Sequence, residues 1–165
     1  MIIYEDILRA FQKQKVKYVL VGGIAVNLLG AMRSTADLDI LVDMSDENIR
    51  KVVKILKRYG YRVKRPVDPL KLVDEKTRKN WIKNKHMKAF NFYKEGQLQE
   101  VDIIIDSPVS YKQAQKDIVH IEIDSLTLPV ISINKLIKMK KETARAVDKL
   151  DIKELNKIKK LKRKA

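Results

Sequence analysis

Val21-Gly22-Gly23-Ile24-Ala25-Val26-Asn27-Leu28-Leu29-Gly30-Ala31-Met32-Arg33-Ser34-Thr35-Ala36-Asp37-Leu38-Asp39-Ile40-Leu41-Val42-Asp43 carries more structural information than any other part of this chain. Ile40, Leu41 and Val42 make its end a strand. Side chains alternate faces along a strand, so Asp37 and Asp39 project the same way, with roughly 7 Å of backbone rise between them. Two carboxylates on one face repel each other unless a cation lies between them. Mg²⁺, a hard ion that takes oxygen ligands and keeps open positions for phosphate, suits such a pair. Upstream, Tyr18 to Val21 is a short apolar strand, Gly22-Gly23 is a turn, and Ile24 to Leu29 reads as a short helix stopped by Gly30. A strand–Gly-Gly–helix turn lets backbone N–H groups approach phosphate, and the helix start adds a positive field. The turn is neither a Walker A loop nor a GxGxxG fingerprint.

Further out, residues 6–14 carry Ile7, Leu8, Ala10 and Phe11 at helical spacing. Ser45 is placed to cap a helix from Asp46 to Tyr59, with acids in its first turn, bases at its end and Gly60 in the stop position. Tyr61 to Lys64 reads as a strand. Pro66 to Asn84, with two prolines and many charges, reads as a loop or an irregular helical piece. His86 to Tyr93 and Leu98 to Ile105 flank Glu95-Gly96 as a β-hairpin. A short helix (110–116), a strand (118–123) and an extended stretch (127–131) follow. Ser132 or Asn134 opens a helix running towards Ala144. A last helix, from about Val147 to Leu161, ends in the basic run Lys157–Lys164. The order predicts an α/β fold, with a small mixed sheet flanked by helices, because hairpins argue against an all-parallel sheet. The expected division is a core over 1–131 and a C-terminal helical pair over 132–165.

A third carboxylate is needed to turn a metal-binding pair into a catalytic site. Asp102, at the start of the apolar run Val101-Asp102-Ile103-Ile104-Ile105, is the candidate; Asp106 lies on the same face. If that strand lies beside Asp37–Val42, all three carboxylates converge, and two metals could be held about 3.5–4 Å apart.

These residues resemble the signature of the DNA polymerase beta-like nucleotidyltransferases: strand–Gly22-Gly23, then Asp37-Leu38-Asp39-Ile40, with a later carboxylate. Arg33-Ser34-Thr35 is similar to the Arg-x-Thr often seen there. Leu136-Ile137-Lys138-Met139-Lys140, with Arg145, Asp148 and Asp151-Ile152, resembles the closing helices of minimal bacterial and archaeal members, including AbiE-type toxins. The resemblance implies a nucleotidyltransferase fold and Mg²⁺ (or Mn²⁺) held by Asp37, Asp39 and Asp102, with Asp102 activating the attacking hydroxyl. It implies Gly22, Gly23 and Lys140 on the phosphates of an NTP, and Arg145 and Asp148 lining or bracing the cleft. Gly-Gly replaces the family's Gly-Ser, so Asn27 or Ser34 is the candidate to supply the missing hydroxyl or amide contact.

Composition bounds the rest. A chain of 165 residues is one domain, or one domain with a helical appendage. Cysteine is absent, which excludes disulfides and thiolate metal sites and fits a reducing cytoplasm. No apolar run reaches the ~18 residues of a membrane span, and Met1 to Asp6 lacks a signal pattern. The net charge of +15 attracts polyanions, or reflects a Lys-rich, thermophile-like composition. His86 and His120 lack metal-ligand spacing. Phe90, Phe92 and Tyr93 read as packing, and Trp81 as an anchor against the core. The basic run at Lys157–Lys164 reads as a solvated helix end; about four phosphates neutralised there would give a log–log salt slope near −3 to −4.

The expected function is transfer of a nucleoside monophosphate from an NTP to a hydroxyl. Acceptors in view are RNA or a tRNA end, a protein hydroxyl (an antitoxin partner in a toxin–antitoxin pair, or a kinase), or a small antibiotic. The alternative is a catalytically silent module that holds nucleic acid or a partner chain on the same fold. The lack of a His/Asp ligand cluster argues against a phosphohydrolase.

Overall fold

Ile7, Leu8 and Phe11 recur at helical spacing and are all buried in helix α1 (Glu5–Lys13), in a computed structural model that describes residues 3–165. The N-terminal reading therefore falls partly on Met1 and Ile2, outside the described residues. Strand β1 (Tyr18–Val21) is wholly buried, and helix α2 (Gly22–Leu28) starts at the two glycines themselves. Strand β2 (Leu38–Val42) follows, then helix α3 (Asp46–Arg58). Ser45 caps α3 by accepting from the Asn48 amide, and Gly60 ends it at φ +87°, the left-handed backbone that glycine tolerates. The buried Asn48 side chain accepts from Lys17 N–H and donates to the carbonyls of Lys17 and Asp43, tying α3 to the loop before β1.

Strand β3 (Tyr61–Val63) leads into the segment expected to be a loop or an irregular helical piece. It is helical, and more regular than expected: a 3-10 turn (Pro69–Val73), then a regular helix α4 (Glu75–Lys85), capped by Asp74 accepting from Thr77 N–H. Trp81 is the one buried residue of α4, so no apolar period marked the helix; its ring packs on Phe90, centroids 5.6 Å apart. Strands β4 (Ala89–Lys94) and β5 (Glu100–Ile104) form the expected hairpin. Helix α5 (Tyr111–Ala114) precedes the hairpin of β6 (Val119–Ile123) and β7 (Leu126–Val130). Helices α6 (Ile133–Thr143) and α7 (Ala146–Lys164) close the chain, separated by Ala144 at φ +47°.

The seven strands make one mixed sheet in the order β3-β4-β5-β2-β1-β7-β6. Parallel pairing occurs where β2 meets β5 and where β1 meets β7. Leu38, Ile40, Val101, Ile103, Phe90 and Phe92 alternate onto one face and are buried there. Leu136 and Ile137 of α6 and Leu155 of α7 belong to the same hydrophobic cluster as the sheet. The architecture is the predicted mixed α/β fold. No helix among the described residues is long and apolar enough to cross a membrane.

Candidate active site

Register decides which polar side chains meet. Asn91 of β4 pairs with Asp102 of β5, Asp102 with Asp39 of β2, and Asp39 with Val21 of β1. Register partners share a face, so Asn91, Asp102 and Asp39 form a row across the middle of the sheet, opposite the buried apolar face. The row ends beside Val21, where the chain turns into α2. The expected neighbourhood of β2 and β5 is therefore present, in parallel pairing.

Gly22 closes the row. Its φ is +68°, and a Cβ placed on it would lie 2.0 Å from Asp39 Oδ2. The first residue of α2 must therefore be glycine for two reasons: the backbone is left-handed, and the carboxylate fills the space a side chain would take. Gly23 is required differently. A Cβ there would lie 2.5 Å from Thr35 Oγ1 and 3.2 Å from Arg33 Cζ. Thr35 and Arg33 thus crowd over the start of α2, a role for them that the sequence did not disclose. Ser34, between them, is exposed. Asn27 braces the loop, accepting from Arg33 N–H and donating to Arg33 C=O, both at 3.0 Å.

Electrostatically the row is strained. The Asp39 carboxyl is pushed up to about 7 by burial first, then by the charges of Asp102 and Asp37, with Lys140 and Arg145 opposing. Asp102 is raised by burial, against the pull of a 2.7 Å hydrogen bond donated by Asn91 Nδ2 to its Oδ1. Asp37 lies just before β2 and its Oδ1 accepts from Glu100 N–H at 3.1 Å. The Tyr4 hydroxyl bonds to the carbonyls of Ala36 and Glu100, fastening the same corner. Burial raises the Tyr4 hydroxyl pKa, as do Tyr61 and the three aspartates. Asn91 and Tyr4 carry no chemical signature in sequence; strand register brings Asn91 to the site, and the packing of the start of α1 brings Tyr4.

Whether these residues suit a cation can be judged from the donors. Asp39 and Asp102 are register partners, the charge of Asp102 makes Asp39 costlier to ionise, and all-oxygen donors are what a hard divalent ion takes. They fit Mg²⁺ as a pair. Asp37 stands with them but is turned to the Glu100 amide, and no three His, Cys, Asp or Glu side chains among the described residues form a chelating group. Of the three carboxylates expected to converge, register sets Asp39 and Asp102 side by side, while Asp37, two residues before Asp39, does not close a chelating group with them.

The cationic side comes from α6 and α7. Lys140, which the resemblance puts on the phosphates, is buried, with Nζ 2.7 Å from Asp151 and 3.4 Å from Asp148. Asp151 also takes Arg33 at 2.6 Å, so one buried carboxylate joins α7 to the loop before β2. Arg145 grips Asp148 with two nitrogens, at 2.9 and 3.2 Å, and Thr143 adds a third donor. Burial alone would raise Asp148, yet Arg145 and Thr143 hold it well below the usual carboxylate range. Asp148 and Asp151 are thus ion-pair partners, and Asp148 also accepts from Arg145 N–H at the start of α7. Asp106 pairs with Lys88 beyond the end of β5.

The class of protein is now defined: it is a nucleotidyltransferase. The chain belongs to the aminoglycoside-2''-adenylyltransferase family, whose model matches residues 4–155.

Among solved structures, the chain is similar to lincosamide antibiotic adenylyltransferase LnuA, determined with lincomycin bound. The TM-score is 0.62 at 21% identity, over 92% of this chain and 93% of that one. It is also similar to ANT(2")-Ia in complex with adenylyl-2"-tobramycin, at TM-score 0.57 and 15% identity, over 96% of this chain and 92% of that one. An antigenic nucleotidyltransferase-like protein from Paracoccidioides brasiliensis gives 0.52 at 16% identity, over 90% of this chain and 71% of that one. These identities establish a common fold. No curated protein matches the chain in sequence. None of these three is an AbiE-type toxin, so the resemblance stands at the level of the superfamily.

Proposed function

We propose that this protein transfers AMP from ATP to a hydroxyl of a small antibiotic-like acceptor, releasing pyrophosphate. The observation that carries the reading is the Asp39–Asp102 register at the foot of a Gly-Gly helix start, in a chain of an adenylyltransferase family. Family membership favours a small molecule, the third of the acceptors considered, over RNA or protein. Nothing in the relatives supports a toxin role or an antitoxin partner. A nucleotide substrate and the lack of cysteine fit a cytoplasmic enzyme.

In this reading Asp39 and Asp102 would hold Mg²⁺ as a pair, and Asp37 would join them on leaving the Glu100 amide. When bound, the ion supplies charge neutralisation for the triphosphate and its leaving pyrophosphate. The chain's own groups do the rest. Asp102 keeps one oxygen on Asn91 and turns the other to the acceptor hydroxyl, whose proton it takes. The acceptor oxygen bonds to the α-phosphorus as the bond to the bridging oxygen breaks, and pyrophosphate leaves with the electron pair. Backbone N–H groups at Gly22 and Gly23, with Ser34, contact the phosphates. Lys140 and Arg145 set a positive field on that side, consistent with their lowering effect on Asp39.

The test is label transfer from α-³²P-ATP with Mg²⁺ or Mn²⁺. A panel of aminoglycosides and lincosamides is run beside total RNA and cell lysate, with an Asp39→Asn, Asp102→Asn variant as control. Label in a small molecule, lost in the variant, is the expected result. Label in RNA or protein instead would replace the acceptor. No transfer to anything would return the protein to the silent binding module.

A further inference from the structure

The positive charge is not spread evenly. Residues 135–165 hold thirteen Lys and Arg against four Asp and Glu, a surplus of nine out of the chain's net +15. Two of those four acids, Asp148 and Asp151, are buried and already taken by Lys140, Arg145 and Arg33. Glu142 and Glu154 alone oppose the surplus at the surface.

Helix periodicity then sorts the bases. On α7, Lys149, Lys153, Lys157, Lys160 and Lys164 follow one another at intervals of three or four residues, which places them on one face. All five are exposed, and Lys157 alone has a carboxylate neighbour, Glu154 at 2.9 Å. With a rise of about 1.5 Å per residue, they form a straight line of cations about 22 Å long, one every ~5–6 Å. The opposite face carries buried Asp148, Asp151 and Leu155, with Ile152 and Ile158 packed on the core.

We propose that this lysine line is a docking surface for the phosphate backbone of a nucleic-acid duplex. Charge complementarity chooses the partner. A duplex presents about one phosphate per 1.7 Å of axis, both strands counted, on a rigid backbone that a straight cationic line can follow. A single strand would call for aromatic platforms, and α7 has no Phe, Tyr or Trp. A membrane surface would require α7 to bury a continuous apolar face; its core-facing side is already covered, and away from the core it exposes only Leu150 and Leu161 as large apolar side chains. Contact is made by lysine alone, with no Arg, Asn or Gln in the line to read base edges, so binding is independent of sequence. The surface is separate from the aspartate row, and its occupant is a partner, not the acceptor.

The test is fluorescence anisotropy of the full chain with a labelled duplex of about 20 base pairs, as RNA and as DNA, across a salt series. Binding to either duplex with a log–log slope of about −4 is expected. Lys153→Gln, Lys157→Gln, Lys160→Gln should flatten the slope by about three and weaken low-salt binding on the order of 10- to 100-fold, with nucleotidyl transfer unchanged. The matched control removes three exposed cations of α3: Lys54→Gln, Lys57→Gln, Arg58→Gln. It should bind like the unsubstituted chain. Equal losses in both triple variants would mean that net charge alone acts and would overturn the proposal. So would a preference for single strands or anionic vesicles, or no duplex binding at low salt. Circular dichroism of each variant checks that α7 persists, as glutamine's good helix propensity leads one to expect.

Discussion

Gly22 is the residue on which the site is most finely balanced. Gly22→Ala would place a methyl on top of Asp39 Oδ2 and force a left-handed backbone on alanine. We expect a stability loss of about 1–2 kcal/mol by chemical denaturation. Transfer activity should fall on the order of 100-fold or more, because Asp39 must move. Asp39 itself sets a pH dependence. Its carboxyl rises from 3.8 to about 7 on folding, so between those values the folded chain holds more protons than the unfolded one. Stability from this group is complete at low pH and is lost as pH rises through about 7, a change on the order of a few kcal/mol. Melting curves in EDTA should show that decline. Asp39→Asn should remove most of it and raise the melting temperature at pH 8. Adding Mg²⁺ to the unsubstituted protein should stabilise it more at pH 8 than at pH 5, since the ion competes with the proton. Much of this residue-level picture is legible in sequence. Asp37, Asp39 and Asp102 announce themselves as polar intrusions at fixed places in apolar strands. What no spacing shows is that Asp39 faces Asp102, that Asn91 holds Asp102, or that Asp37 is spent partly on the Glu100 amide. Those depend on register between distant strands.

At the scale of elements, α7 is fixed by charge as much as by apolar contact. Lys140, Arg33, Asp148 and Asp151 form a network in which every buried charge has a partner. Asp151→Ala would strand Arg33 and leave Lys140 with only the longer 3.4 Å contact to Asp148. We expect a loss of about 3–5 kcal/mol in urea unfolding. Lys140→Met should cost far less, because Asp151 keeps Arg33 and Asp148 keeps Arg145. A larger effect at Lys140 than at Asp151 would contradict this reading of the network. The elements themselves were read well wherever burial has a period. α3 announced its start at Ser45 and its stop at Gly60. α4 did not, because a helix that buries only Trp81 has no stripe to recognise, although Asp74 does offer a cap. The burial of Lys140 was hidden for a similar reason, since its partners lie in the next helix.

For the molecule as a whole, we propose that residues 1–131 and 132–165 unfold as one unit, since Leu136, Ile137 and Leu155 share the sheet's hydrophobic cluster. Thermal unfolding followed by tryptophan fluorescence at Trp81 and by far-ultraviolet dichroism should then give coincident transitions. Separate transitions would place a real boundary between the core and the closing helices. The sheet order has one more consequence, and it concerns time. Asp39 and Asp102 meet across a parallel pairing of strands sixty-three residues apart, while the β4–β5 and β6–β7 hairpins and the α6–α7 pair are local. Local contacts close in microseconds, whereas distant ones wait on the entropy of bringing long loops together. In refolding from urea, helical dichroism should therefore return before transfer activity does. On that order of events a newly made chain would hold much of its secondary structure before it is an enzyme, and the two carboxylates would become neighbours only when the centre of the sheet is joined.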